Sequence, residues 1–148
     1  MAFEARDPQF ELRVRESFGR QRFMTLLGAS LVRVAAGEVD IALPFSDQLA
    51  QQHGFVHAGA IASVLDSACG YAASTLMAAD AAVLTVEFKV NLLEPAVGDR
   101  FLARAKVIRA GRTISVCRAE AVAEGGSETL VALMTATIMS VEGRGISA

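Results

Sequence analysis

The chain reads as an α+β domain, an antiparallel sheet curled around one long helix. Three observations carry that reading. A run of small and apolar residues from Ala58 to about Ala78 contains a single charge, Asp66. After it the pattern turns to period two and stays there to the end of the chain. Before it lies a short hairpin signal, in which Val39, Ile41 and Leu43 alternate with Glu38, Asp40 and Ala42. One helix with a hairpin before it and four strands after it fits a single layered domain, and 148 residues suffice for one core. The helical run is long enough to cross a bilayer. Ala, Ser and Gly dominate it and an acid sits near its middle, so a core helix is the better reading and no membrane insertion is expected.

In chain order, Asp7-Pro8 reads as a helix start, with Asp as N-cap and Pro at the first helical position. Phe10, Val14 and Phe18 then give an apolar stripe that ends near Leu27, with Gly28 as the stop and Gly19 as a candidate break. This segment, residues 1–28, is expected to pack on the domain or to cover a site entrance. The domain proper spans residues 29–142, and residues 143–148 form a tail. Its strands are expected at Leu31–Ala35 and Glu38–Leu43, joined by Ala36-Gly37, and then at Leu84–Leu92, Arg100–Arg109, Thr113–Ala123 and Thr129–Val141. In the third, Leu84, Val86, Phe88, Val90 and Leu92 would share one face and Thr85 the polar one. Phe101, Ala103, Ala105 and Val107 would point inward, and Ile114, Val116 and Val122 would share a face of the fifth.

An apolar share of 53% and a mean hydropathy of +0.40 are high for a soluble monomer and suggest surface hidden in an oligomer. A net charge of −2 gives no electrostatic case for nucleic acid or acidic membranes. The first residues alternate charges and carry no apolar signal core, so a cytoplasmic location is expected. Cys69 and Cys117 show no ligand spacing and are expected to be reduced and buried.

Two features point to chemistry. The turn His57-Ala58-Gly59 sits where the helix should begin, so its backbone N–H groups are free to meet developing negative charge. Asp66 shares a helical face with Gly59, Ala62, Ser63, Gly70 and Ala73, whose small volume leaves room for a ligand or a second chain. Along a helix the two features stand roughly 10–12 Å apart, whereas an attacking group must come within about 3 Å of its carbonyl. If both act on one bond, they come from different chains. His53 and His57 lie four apart, but no HExxH glutamate and no third ligand accompany them, so no metal and no cofactor are expected.

The pattern Gln51-x-His53-Gly54-x-x-His57-Ala58-Gly59, with Asp66 nine residues after His57, resembles the HGG…D signature of hot-dog-fold acyl-CoA thioesterases. The likeness is to the phenylacetate-pathway, PaaI-like branch, and covers roughly residues 30 to 140. Ala58 replaces the usual second glycine of the turn. The resemblance implies a hot-dog fold and hydrolysis of an acyl-CoA, with Asp66 as nucleophile or general base. It implies that the Ala58 N–H polarises the carbonyl while His57 shapes the turn, and that Gln51 orients the acyl group or the lytic water. Thr85 would hold a water near the acid, and Arg109 and Arg112, flanking Gly111, would meet the nucleotide end of coenzyme A. It further implies a homodimer that pairs again into a homotetramer. A hot-dog dehydratase or hydratase and a non-catalytic acyl-CoA binder are the alternatives. The first is disfavoured because HGFVHAG lacks the dehydratase loop's prolines, the second because residues 1–28 are too short and too weakly basic for a DNA-binding unit. Phe55, Val56, Leu65 and Tyr71 are candidates to line an acyl channel, and aryl, medium and long acyl groups all remain open.

Overall fold

The computed structural model describes residues 2–146, so the last two residues of the expected tail lie outside the described part. Asp7 accepts the Gln9 N–H through Oδ1 at 2.9 Å, as an N-cap does, although regular helix α1 begins later, at Phe10–Arg20. The break falls at Gln21, which is extended (φ −78°, ψ 98°), and not at Gly19. Helix α2, Arg22–Leu27, then ends on Gly28 at φ 75°, whose left-handed backbone terminates the helix as expected.

Helix α3 spans Ala58–Ser74, four residues short of the expected end at Ala78. The residues beyond it are diverted by side-chain bonds. Thr75 Oγ1 donates to the Ala72 carbonyl at 2.7 Å and accepts the Gly37 N–H at 2.7 Å, which ties the helix end to the first hairpin. Arg13 of α1 covers the same end. Its guanidinium donates to Ser74 Oγ and to the Ser74 carbonyl, both at 3.0 Å, and to the Met77 carbonyl at 3.3 Å, while Asp7 holds its Nε at 2.9 Å. A cation on the free carbonyls of a helix C-terminus suits both their unmet hydrogen bonds and the helix dipole. Among the described residues no helix is long and apolar enough to cross a membrane.

Among the described residues six strands form one antiparallel sheet in the order β1-β2-β4-β5-β6-β3. They are β1 Ser30–Ala35, β2 Glu38–Pro44, β3 Ala82–Leu92, β4 Arg100–Ala110, β5 Ile114–Glu124 and β6 Thr129–Val141. The sheet wraps α3, which contacts every strand from β2 to β6. Val39, Ile41, Leu43, Phe101, Ala103, Ala105 and Val107 are buried against it, as the alternation predicted. At the β4–β5 turn a Cβ on Gly111 would stand 2.3 Å from the Ile114 carbonyl oxygen, so no larger residue fits there.

Two strand faces differ from expectation. On β5 the face against α3 carries Ser115, Cys117, Ala119 and Ala121, all buried, while Ile114 is exposed. Val122 instead packs with Ala42 and Leu102 in a small cluster on the outer face. The larger apolar residues therefore do not mark the core side of this strand, because the helix lies too close to admit them. Cys69 and Cys117 are buried and unbridged. The contact with Cys117 and burial both push the Cys69 thiol upward, so it stays protonated.

The second difference is a β-bulge. Thr85 pairs with Ile138 and Glu87 with Thr137, which leaves Val86 as the extra residue. Alternation is reset there. Thr85 lies opposite buried Ile138, and after the bulge Phe88 and Val90 lie opposite buried Ala136 and Met134. Thr85 therefore faces the helix, on the side of Phe88, Val90 and Leu92, and the expected uninterrupted stripe from Leu84 to Leu92 is broken.

Replacing Arg13 by Met keeps the apolar stem and removes the cap. The melting temperature in scanning calorimetry should fall by roughly 5–10 °C. The hydrogen bond from Arg13 is the main cause holding the Asp7 carboxyl below its ordinary value of 3.8. A carboxyl depressed by folding stabilises above its unfolded value, and that stability is lost as pH falls through the folded one. The stability gap between wild type and Asp7→Asn should thus be full at neutral pH and close below about pH 4.

Candidate functional site

The loop before α3 is folded by its own backbone. Ala50 and Val56 form an isolated antiparallel bridge, and Gly54, at φ +86°, turns the chain between them. The Gln51 N–H meets the Phe55 carbonyl at 2.8 Å and the His57 N–H meets the Leu49 carbonyl at 2.8 Å. Gln51 is thereby folded back beside His57. Its side-chain oxygen accepts the His53 N–H, and its amide NH2 makes no hydrogen bond among the described residues.

His57 is the N-cap of α3. Its Nδ1 accepts the Gly59 N–H at 2.7 Å, so the ring carries its proton on Nε2. A Cβ on Gly59 would stand 2.9 Å from that nitrogen, and glycine is what lets the ring close onto the helix. The capping also divides the His57-Ala58-Gly59 turn. The Gly59 N–H is taken, whereas the Ala58 N–H makes no hydrogen bond among the described residues. As the first helical residue, Ala58 has no carbonyl one turn back to donate to. No described residue other than glycine has positive φ, so alanine fits this position without strain.

Two turns along, Asp66 is half-buried on the open side of α3. Thr85 Oγ1 donates to Asp66 Oδ1 at 2.7 Å. The contact exists because the bulge at Val86 turns Thr85 to the helix side. It satisfies one carboxylate oxygen and leaves Oδ2 for a ligand or water.

Within one chain these residues fall into two clefts. Asp66 and Thr85 line a cleft of about 560 Å³, together with Ser63, Ser67, Gly70 and Tyr71 of α3. Gln51, His57 and Ala58 line another of about 460 Å³, with Phe55, Leu92 and Pro95. Of the candidate acyl-channel residues, Tyr71 belongs to the first cleft and Phe55 and Val56 to the second, whereas Leu65 is wholly buried core. Ala73 is also core and drops out of the open helical face. Arg109 and Arg112 are exposed beside Gly111 at the β4–β5 turn, and neither lines either cleft.

Sequence reasoning missed the wall of the Asp66 cleft. Ser17, Gln21 and Phe23, from α1, α2 and the break between them, form it. The N-terminal segment therefore both packs on the domain and borders the site. No local pattern marks Gln21, which matters only because the helix breaks there.

Replacing His57 by Ala removes the cap and should cost about 1 kcal/mol in urea unfolding. His57→Asn, a good N-cap, should recover most of that loss.

Comparison with known proteins agrees with the fold and the motif. The model of the Thioesterase superfamily matches residues 53–130, just over half the chain. A thioesterase family protein of Silicibacter pomeroyi has a solved structure that is 52% identical, covering 90% of this chain and 99% of that one, with a TM-score of 0.89. The PaaI protein of the Escherichia coli phenylacetic acid degradation operon superposes with a TM-score of 0.81 over 91% of this chain at 21% identity, a likeness of fold. Among curated proteins, the "Putative esterase" of Halobacterium salinarum is 33% identical over 98 residues, and one of Saccharolobus solfataricus is 32% identical over 94. The matches span 64% and 66% of those relatives, just under two thirds of their length. Motif, topology and the matched family model agree, and the chain belongs to the thioesterase superfamily, with the hot-dog fold.

Proposed function

We propose that the protein is an acyl-CoA thioesterase whose active site is built by two chains. The observation that carries this reading is the division of the motif between two clefts. The carboxylate with its hydroxyl partner lies in one, and the unpaired helix-start donor with the Gln51 amide lies in the other. Eight residues of helix separate Asp66 from Ala58, about 12 Å, too far for both to act on one carbonyl.

The edge of the sheet supports the joining of two copies. Among the described residues strand β3 has no neighbour on its outer side, and Leu84, Val86, Phe88 and Leu92 along it are 46–56% exposed. An unpaired strand carrying that much apolar surface is a template for a second copy of itself. Asp66 with Thr85 and the Leu92 rim of the other cleft flank this edge, so its pairing would bring one chain's carboxylate to its partner's helix start. A homotetramer, as the family resemblance implies, would be a further pairing of such dimers.

In the proposed reaction the thioester carbonyl lies against the Ala58 N–H of one chain, with Gln51 orienting the acyl group or the water. Asp66 of the other chain attacks the carbonyl carbon directly or takes a proton from the attacking water. The carbonyl oxygen becomes an oxyanion in the tetrahedral intermediate, where a positioned N–H is worth roughly 2.7–4 kcal/mol. Collapse breaks the C–S bond. When water attacks, the free acid forms and the CoA thiolate takes up the proton that Asp66 removed. Direct attack instead releases the CoA thiolate, which takes its proton from water, and leaves an acyl anhydride on Asp66 that a second water hydrolyses to the free acid. Arg109 and Arg112 are assigned to the phosphates of CoA, which suit exposed guanidinium groups.

Asp66→Asn should keep the fold and lower kcat at least ~100-fold with a smaller effect on KM, read by thiol release. Wild-type turnover in the folded variant would remove Asp66 from the mechanism. The two-chain site is tested by complementation with Ala58→Pro. Proline is favoured at the first helical position and deletes only the N–H in question. Each variant homodimer should be inactive, while mixed dimers should regain one of two sites, in proportion to the heterodimer fraction. Verified heterodimers without recovery would mean that the site lies within one chain.

A further inference from the structure

The thioesterase reading leaves the size of the acyl group open, and the inference that follows rests on that reading. The Asp66 cleft has a floor, a wall and an end. Ser63, Asp66, Ser67, Gly70 and Ser74 follow one another along the open face of α3 and form the floor. At the far end Ser74 is 5% exposed, and its hydroxyl is occupied by Arg13. The wall is the junction of α1 and α2, where the helix breaks and Gln21 turns toward α3.

Gln21 is bonded through both ends of its amide. Its Nε2 donates to the Tyr71 hydroxyl at 3.1 Å, and its Oε1 accepts from Ser67 Oγ at 3.1 Å. Tyr71 is itself held, with Ser17 Oγ 3.4 Å from its hydroxyl and the Phe18 ring centred 5.7 Å from its own. This cross-link lines the cleft from one residue past Asp66, at Ser67, to a turn further on, at Tyr71, and Gly70, Ser74 and Val83 line it too. From Asp66 to Tyr71 the helix rises only about 7.5 Å.

A thioester has two arms, and only one of them can enter a cleft with an end. The CoA arm terminates in phosphates, whose burial without partners is prohibitive, so it must run out to water. The acyl arm can stop inside. A long acyl chain running past Ser67 and Tyr71 lies against this cross-link, and any widening of the cleft there parts Gln21 from them and leaves polar groups without partners against methylenes. We propose that Gln21, held by Tyr71 and Ser67, narrows the acyl side of the Asp66 cleft and restricts the enzyme to compact acyl groups. It is a specificity-determining residue that takes no part in the chemical step.

The test compares kcat/KM for butyryl-CoA and dodecanoyl-CoA, by thiol release, in wild type, Gln21→Ala and Tyr71→Phe. Wild type should favour butyryl-CoA. Gln21→Ala should raise the dodecanoyl-to-butyryl ratio by at least ~10-fold, in line with what pocket size alone discriminates. Tyr71→Phe removes a single oxygen, should shift the ratio in the same direction, and serves if Gln21→Ala does not fold. A ratio within about twofold of wild type in the folded variants overturns the inference. So does an equal rise in KM for both esters, which would place the CoA arm against Gln21, and so does a wild-type preference for dodecanoyl-CoA. If wild type cleaves neither these esters nor any other acyl-CoA, the thioesterase reading itself fails and the inference falls with it.

Discussion

The close approach of α3 to the sheet is the constraint on which the rest of the structure depends. The helix meets the concave face through Ala68, Cys69 and Ala72, and the strands answer with Ala103, Ala105, Cys117, Ala119, Ala121, Ala132 and Ala136, all buried. Side chains this small let the helix axis sit low in the curl of the sheet, where it touches five strands. A larger residue at these positions would lift the helix, at a cost of about 1–3 kcal/mol for overpacking. It would also move Asp66 and Ala58 relative to the strands. Packing and the geometry of the candidate site are therefore one problem, because the same helix fills the core with one face and presents Asp66 on the other.

Local irregularities then aim the groups that the helix presents. The bulge at Val86 turns Thr85 toward Asp66, and without it the hydroxyl would point away. The His57 ring closes on the Gly59 N–H and leaves the neighbouring Ala58 N–H open. Gln21 stands at the one residue where the N-terminal helix stops and restarts. Each is a departure from regular secondary structure, and each lies beside the candidate site. Bulges and caps are where a fold re-aims a side chain without disturbing its core.

The end of α3 shows how the N-terminal segment becomes part of the domain. Arg13 spans from α1 to the last carbonyls of α3, and Asp7 fixes its orientation. This ion pair is only 13% exposed on either side, so solvent screens it less than a surface pair. The tie holds α1 and α2 over the Asp66 cleft, and part of the N-terminal segment becomes a wall of that cleft.

The sequence by itself determined the α+β class, the six strands to within two residues at their ends, and the start of α3 at His57-Ala58. Those features rest on periodicity and local turn chemistry, which act between residues near in sequence. The sequence also singled out Asp66, as the one charge in the helical run, whereas Gln51 and Thr85 came from the family resemblance. It missed what depends on residues far apart in the chain. The end of α3 is set by Thr75 bonding to Gly37, 38 positions away. The core face of β5 is set by the nearness of α3, which reverses the usual rule that the larger apolar residues point inward. Thr85 faces Asp66 because of a register shift against β6. Gln21 meets Ser67, 46 positions later, and Tyr71, 50 positions later. Tertiary structure alone decided these contacts, because pairing across such distances depends on how whole elements pack and not on the pattern within any one of them.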